Sequence, residues 1–96
     1  MRIAKVIGTV TLSRSHPTLA GGSYRLAVPL SEAELGDPAT TTADPLVVYD
    51  ELGAGPDTLI ALSESREAAM PFHPEMKPID AYNAAILDTI HVCDDV

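Results

Sequence analysis

Aromatic side chains are scarce in this chain: Tyr24, Tyr49, Phe72 and Tyr82 are the whole set among 96 residues, and tryptophan is absent. Basic residues are few as well, six Lys and Arg against fourteen Asp and Glu, for a formal charge of -8. A single-stranded nucleic-acid surface needs stacking rings beside a basic groove, and most nucleic-acid affinity comes from cations that displace counterions. No nucleic-acid partner is therefore expected. Cys93 is the one cysteine, which leaves no internal disulfide and no thiolate metal cluster and fits a reducing compartment. No stretch approaches the ~18 apolar residues of a membrane-spanning helix. Met1 to Lys5 lacks the sustained apolar run of a signal peptide. A soluble cytoplasmic protein with no membrane partner is expected.

Patterns that carry catalysis or cofactor binding are missing too. His16, His73 and His91 have no short ligand spacing, so a metal site would need a coincidence in three dimensions. His91 and Cys93 share one strand face, but no third group is evident to orient a Cys-His pair for nucleophilic chemistry. Ser63 and Ser65 lack a G-x-S-x-G elbow, and there is no G-x-G-x-x-G or Walker loop. No catalytic residue, cofactor or metal is assigned.

What the chain has is aliphatic strand pattern. It is 46% hydrophobic, mostly Ala, Val, Ile and Leu, and one domain of this size buries roughly two-thirds or less of its extended surface. From Arg2 to Leu12, the residues Ala4, Val6, Gly8, Val10 and Leu12 alternate with Ile3, Lys5, Ile7, Thr9 and Thr11, as a strand requires. Gly8 points to a bend, a bulge or a close backbone approach. Ser13 to Gly22 reads as a loop. Tyr24, Leu26, Val28 and Leu30 form a second alternating strand, which ends or meets an edge at Pro29. Ser31 to Pro45 is a polar loop in which Glu32 to Leu35 could make one helical turn. Leu46 to Tyr49 and Leu59 to Leu62 are short apolar runs suited to strands covered on both faces.

Asp50 to Asp57 between those runs is a turn whose glycines permit positive φ. Pro71 to Pro78 is held extended by its prolines. Asp80 to Ala84 predicts a short helix with Asp80 as N-cap. Ile86 to Cys93 alternates as the last strand. Five strands punctuated by turns predict an all-β fold, a small barrel or sandwich occupying residues 1–96 as one domain.

Three blocks, in this order, resemble the pentameric vertex proteins of bacterial microcompartments, the EutN/CcmL family. Met1-Arg2-Ile3-Ala4-Lys5-Val6-Ile7-Gly8-Thr9-Val10 is similar to that family's first strand. Val47-Val48-Tyr49-Asp50-Glu51-Leu52-Gly53-Ala54-Gly55 is similar to a strand ending in Asp followed by a Gly-Ala-Gly turn. Pro78-Ile79-Asp80-Ala81, leading to Ala85-Ile86 and Ile90, is similar to the Pro-[Val/Ile]-Asp-Ala element before the last strand. The chain departs where Pro56-Asp57 directly follows the Gly-Ala-Gly turn. It departs again where Glu64-Ser65-Arg66-Glu67-Ala68 replaces a Gly-Ser-Ser-Ala-Arg-like run.

The resemblance implies a five-stranded, OB-like β-barrel assembled as a homo-pentamer. Such rings sit at the corners of a polyhedral shell whose facets are hexameric shell proteins of another fold. Apolar residues on both strand faces, namely Ile3, Ile7, Val47 and Ile60, fit burial against identical neighbours in a closed, heterologous ring. At roughly 25 cal/mol per Å2, covering ~500 Å2 per subunit contributes on the order of 10 kcal/mol before association costs. That is comparable to the entire stability of a small domain.

Gly53, Ala54 and Gly55 are candidates for the ring's axial opening as well as a tight turn. Asp50 and Asp57 are ordinary turn carboxylates or, alternatively, a ring of negative charge near the axis. Ile3, Lys5, Ile7, Pro78, Ile79 and Asp80 are the candidate subunit interface, Asp80 also being read as a cap. Two alternatives remain: an OB-like module for single-stranded nucleic acid, or an accessory subunit of an enzyme using His91 with Asp88 or His73 with Glu75.

Overall fold

The computed structural model describes residues 1–11, 22–36, 41–73 and 79–91. The strands are β1 (Arg2–Val10), β2 (Tyr24–Pro29), β3 (Leu46–Tyr49), β4 (Leu59–Glu64) and β5 (Ala81–Ile86). Short helices α1 (Glu32–Leu35) and α2 (Arg66–Ala69) follow β2 and β4, and a 3-10 turn (Met70–Phe72) extends α2. The strands close into a barrel in the order β1-β2-β3-β5-β4, as expected. Closure removes the free edges that would otherwise invite pairing with other chains. All pairings are antiparallel except β3 with β5, a parallel junction resting on Tyr49↔Tyr82.

The barrel interior is narrow, and its residues are small. Ala4 and Val6, Ala27, Val48, Ala54, Ile60 and Leu62, and Ala81 make up the buried cluster. Alternating small and larger aliphatic side chains lets the strands approach across a thin core. Ile60, expected among the residues buried by neighbours, is instead fully buried in this interior.

β1 does not keep one phase. Val6 pairs with Ala27, but Gly8 pairs with Leu26, so Ile7 is an extra residue in a bulge. Cross-strand partners share a face, and Ala27 faces the core, so Leu26 and its partner Gly8 face outward. Val10, opposite Tyr24, joins them. The expected face of Ala4, Val6, Gly8 and Val10 is thus split by the bulge that Gly8 signalled. Pro29 lies past the last β2–β3 pair, Ala27↔Leu46, where its missing N–H costs no bond on that side.

Two expectations near the C-terminus fail. Asp80 caps no helix: Ala81–Ile86 is the last strand, one segment earlier than the alternation of Ile86 to Cys93 predicts. The short helix before the last strand exists, but at Arg66–Ala69. The Asp80 carbonyl accepts the Ser65 N–H at 2.8 Å, joining the chain ahead of β5 to the end of β4. Pro78, Cys93 and most of the proline-rich segment (74–78) lie outside the described residues.

Candidate functional site

β3 delivers its last residue, Tyr49, to the outer wall and the next, Asp50, to the inside. Asp50 is 1% exposed, which a carboxylate tolerates only when paired and hydrogen-bonded. It has partners from several elements. Its Oδ1 accepts the Leu52 N–H at 3.0 Å and the Asn83 side-chain amide of β5 at 2.9 Å. Its Oδ2 accepts the Ala54 N–H at 2.9 Å and lies 3.4 Å from Nε of Arg25 on β2. Burial pulls the Asp50 carboxyl upward, but the Asn83, Leu52 and Ala54 donors together with the Arg25 cation outweigh it and hold the group below its ordinary value.

Arg25 completes the turn from the other side. Its Nε donates to the Ala54 carbonyl at 2.6 Å, and Nη1 donates to the Ser23 hydroxyl at 2.7 Å and the Tyr24 carbonyl at 3.2 Å. Both backbone groups of Ala54 are therefore held by side chains, while its methyl sits in the core at 1% exposure. Gly53 adopts φ +77°, a conformation that glycine takes without a Cβ penalty. Of the candidate axial residues, Ala54 thus points inward, Gly53 is exposed and Gly55 is half-buried. Asp57, also at positive φ (66°), donates its N–H to the Val6 carbonyl at 2.7 Å. Its carboxylate lies 3.6 Å from Lys5 Nζ, which ties the turn to β1.

The outer wall has a covered region and a bare one. Tyr24, Tyr49 and Tyr82 meet on the outside of β2, β3 and β5, and Phe72 of the 3-10 turn packs onto Tyr49 and Tyr82 with centroids 5.3 and 5.5 Å apart. The four aromatics of the chain thus form one cluster. Tyr82 donates to Glu51 at 2.9 Å, and burial followed by that carboxylate raises its phenol above the ordinary value. Beyond the cluster, Ile7 and Val47 are each 44% exposed on either side of Leu26, the partner of Val47. A second apolar surface is a concavity of about 450 Å3 lined by Met1, Ile3, Leu30, Leu35, Ala61 and Leu87, with Arg2.

Among the predicted interface residues, Ile3 lines that concavity, Lys5 reaches Asp57, and Ile7 occupies the bulge. Ile79 is half-buried and Asp80 exposed. Asp80 lies beside Ser65 past the end of β4, whereas Lys5 pairs with Leu59 at its start and Ile3 with Ala61 partway along it. Sequence pattern alone gives Asp50 only a turn or axial role and gives Arg25 and Asn83 none. Asp ahead of a Gly-containing turn is the signal for the first; the other two are set by register alone. Among the described residues, no three His, Cys, Asp or Glu gather as a metal site.

Comparison with known proteins accords with this architecture. A family profile described as "Ethanolamine utilisation protein EutN/carboxysome" matches residues 1–88. The chain is 36% identical over 90 residues to the carboxysome shell vertex protein CcmL of Thermosynechococcus vestitus, covering 94% of this chain and 86% of that one. The structure of Gloeobacter violaceus CcmL superposes with a TM-score of 0.82 at 30% identity, over 96% of this chain and 90% of that one. The GrpN pentameric microcompartment shell protein from Rhodospirillum rubrum superposes with a TM-score of 0.80 at 27% identity, over 97% of this chain and 100% of that one.

Proposed function

The chain belongs to the EutN/carboxysome family, and on that premise we propose that it is a non-enzymatic vertex subunit of a bacterial microcompartment shell. Five copies form a ring that supplies curvature where flat facets of hexameric proteins meet. The observation that carries this reading is the end-to-end match to a pentameric shell protein, TM-score 0.80 over 97% of the chain. The bare wall supports it physically. A ring buries one patch of each subunit against a different patch of the next, and the described residues of this barrel offer two outer apolar surfaces. One is at Ile7 and Val47, the other at the concavity containing Ile3.

The contact in this reading draws on Ile3, Lys5 and Ile7 of β1 and on Pro78, Ile79 and Asp80 ahead of β5. The Gly53 to Gly55 turn approaches the axis through the backbone of its two glycines. All 96 residues act as one unit, inside the cell as part of the shell. Native mass spectrometry at micromolar concentration tests this: a species near five times the 10.1 kDa chain is expected. A monomer under those conditions overturns it.

A further inference from the structure

Among the described residues, the buried polar group with the most partners is neither in the core cluster nor on the outer wall. Asp50 gathers the Leu52 and Ala54 N–H groups, the Asn83 amide and the Arg25 guanidinium within 2.9 to 3.4 Å. These partners come from the turn itself, from β5 and from β2. Arg25 then returns to the Ala54 carbonyl at 2.6 Å. We propose that Asp50 is the positioning residue for assembly: its carboxylate clasps the Gly53 to Gly55 turn to β2 and β5, so that the turn meets the neighbouring subunit in one fixed shape. This inference rests on the reading that the turn takes part in the subunit contact.

Three observations support it. First, the segment between Asp50 and the buried Ala54 methyl has no packing from Gly53: it sits at positive φ, and a Cβ built there meets nothing within 4 Å. Second, the anchoring is tailored to a charge. Both carboxylate oxygens face donors only, and a neutral amide in that place must turn its NH2 toward either Ala54 and Arg25 or Leu52 and Asn83. Either way donors face a donor. Third, Asn83 is committed to donating. Its own amide oxygen is buried without a hydrogen-bond donor among the described residues. Such an unmet acceptor is costly and is tolerated when the NH2 must face a carboxylate.

The test uses the full chain with Asp50→Asn, Arg25→Lys and Gly53→Asp. Amide hydrogen exchange reads the turn, and native mass spectrometry reads the ring. For Asp50→Asn, exchange at Leu52 and Ala54 should rise roughly a hundred-fold, well beyond the rise at Val6, Ile60 and Leu62. Ring formation should then require at least about ten-fold more protein. Arg25→Lys, which keeps the charge but loses the Nε bond to the Ala54 carbonyl, should fall between wild type and Asp50→Asn. It also serves as the readout if Asp50→Asn does not fold.

Asp50→Asn rings at wild-type concentration, or exchange that accelerates equally across the barrel, overturn the clasp. For Arg25→Lys the same two results count against it. Gly53→Asp separates this inference from the reading beneath it. If Gly53→Asp assembles normally, the turn is not in the contact and both fall. If it blocks rings while Asp50→Asn assembles freely, the contact stands and the clasp alone is overturned.

Discussion

Two carboxylates in this molecule each hold a turn, and they do so by different means. Glu34 closes a capping box at the start of α1: its Oε1 accepts the Ser31 N–H at 2.9 Å, and Ser31 Oγ accepts the Glu34 N–H at 3.3 Å. Its other oxygen takes the Thr42 hydroxyl at 3.2 Å. These partners are neutral and lie within eight residues. Asp50, fully buried, recruits a cation 25 positions before it and an amide 33 after it. A local network stabilises the turn it sits in. A non-local one makes the turn depend on the closed barrel, and the barrel on the turn.

The sharpest way to break that contrast is deletion of each carboxylate's network. Asp50→Ala leaves Arg25, Asn83 and two backbone donors facing a buried void. It should cost about 3–5 kcal/mol, as expected for removing one partner of a buried ion pair, measured by urea unfolding at matched protein concentration.

Acid should expose the same difference with smaller effect. Asp50 has an ordinary value of 3.8, and Glu34 and Glu64 one of 4.5; each is held lower in the fold. A depressed folded value means stability that is present above the ordinary value and lost as pH falls through it toward the folded value. Unfolding free energy should therefore decline from roughly pH 5 downward, and Asp50→Asn should flatten that decline more than Glu34→Gln. Equal flattening would erase the distinction between the two sites.

Ser31→Ala removes the local cap and should cost about 1 kcal/mol by the same unfolding measurement. The smallest effect belongs to the exposed fork of Arg2 on Glu64, whose Nε–Oε2 bond is 2.7 Å. With half of Arg2 in solvent, Arg2→Ala should shift stability by less than about 1 kcal/mol, and raised salt should shrink the difference further.

The local half of this architecture was legible and the non-local half was not. β1 through β4 announce themselves by β-branched alternation or short aliphatic runs, and Gly8 foretells the bulge next to it. Ser31-x-x-Glu34 is a readable capping signature, and it starts the one helical turn at Glu32 to Leu35. β5 is hard to place from sequence because its inward positions, Ala81 and Asn83, are small or polar. The alternation after Ile86 is the stronger pattern and points downstream. A narrow interior selects alanine, and alanine carries a weak periodic signal. Asp50 was visible only as a turn residue, since nothing in its neighbourhood names Arg25 or Asn83 as partners. Those links are created by register.

The unpaired Ile7 has one more consequence. Because it interrupts the ladder, the stretch before it and the stretch after it present opposite parities to the solvent. Removing that one residue would restore a regular ladder with Gly8 and Val10 still facing outward, whereas pairing Ile7 in a regular ladder would turn both of them inward. A one-residue deletion at this point therefore preserves the facing of both flanks, and relatives that differ there should be aligned by facing direction rather than by residue count.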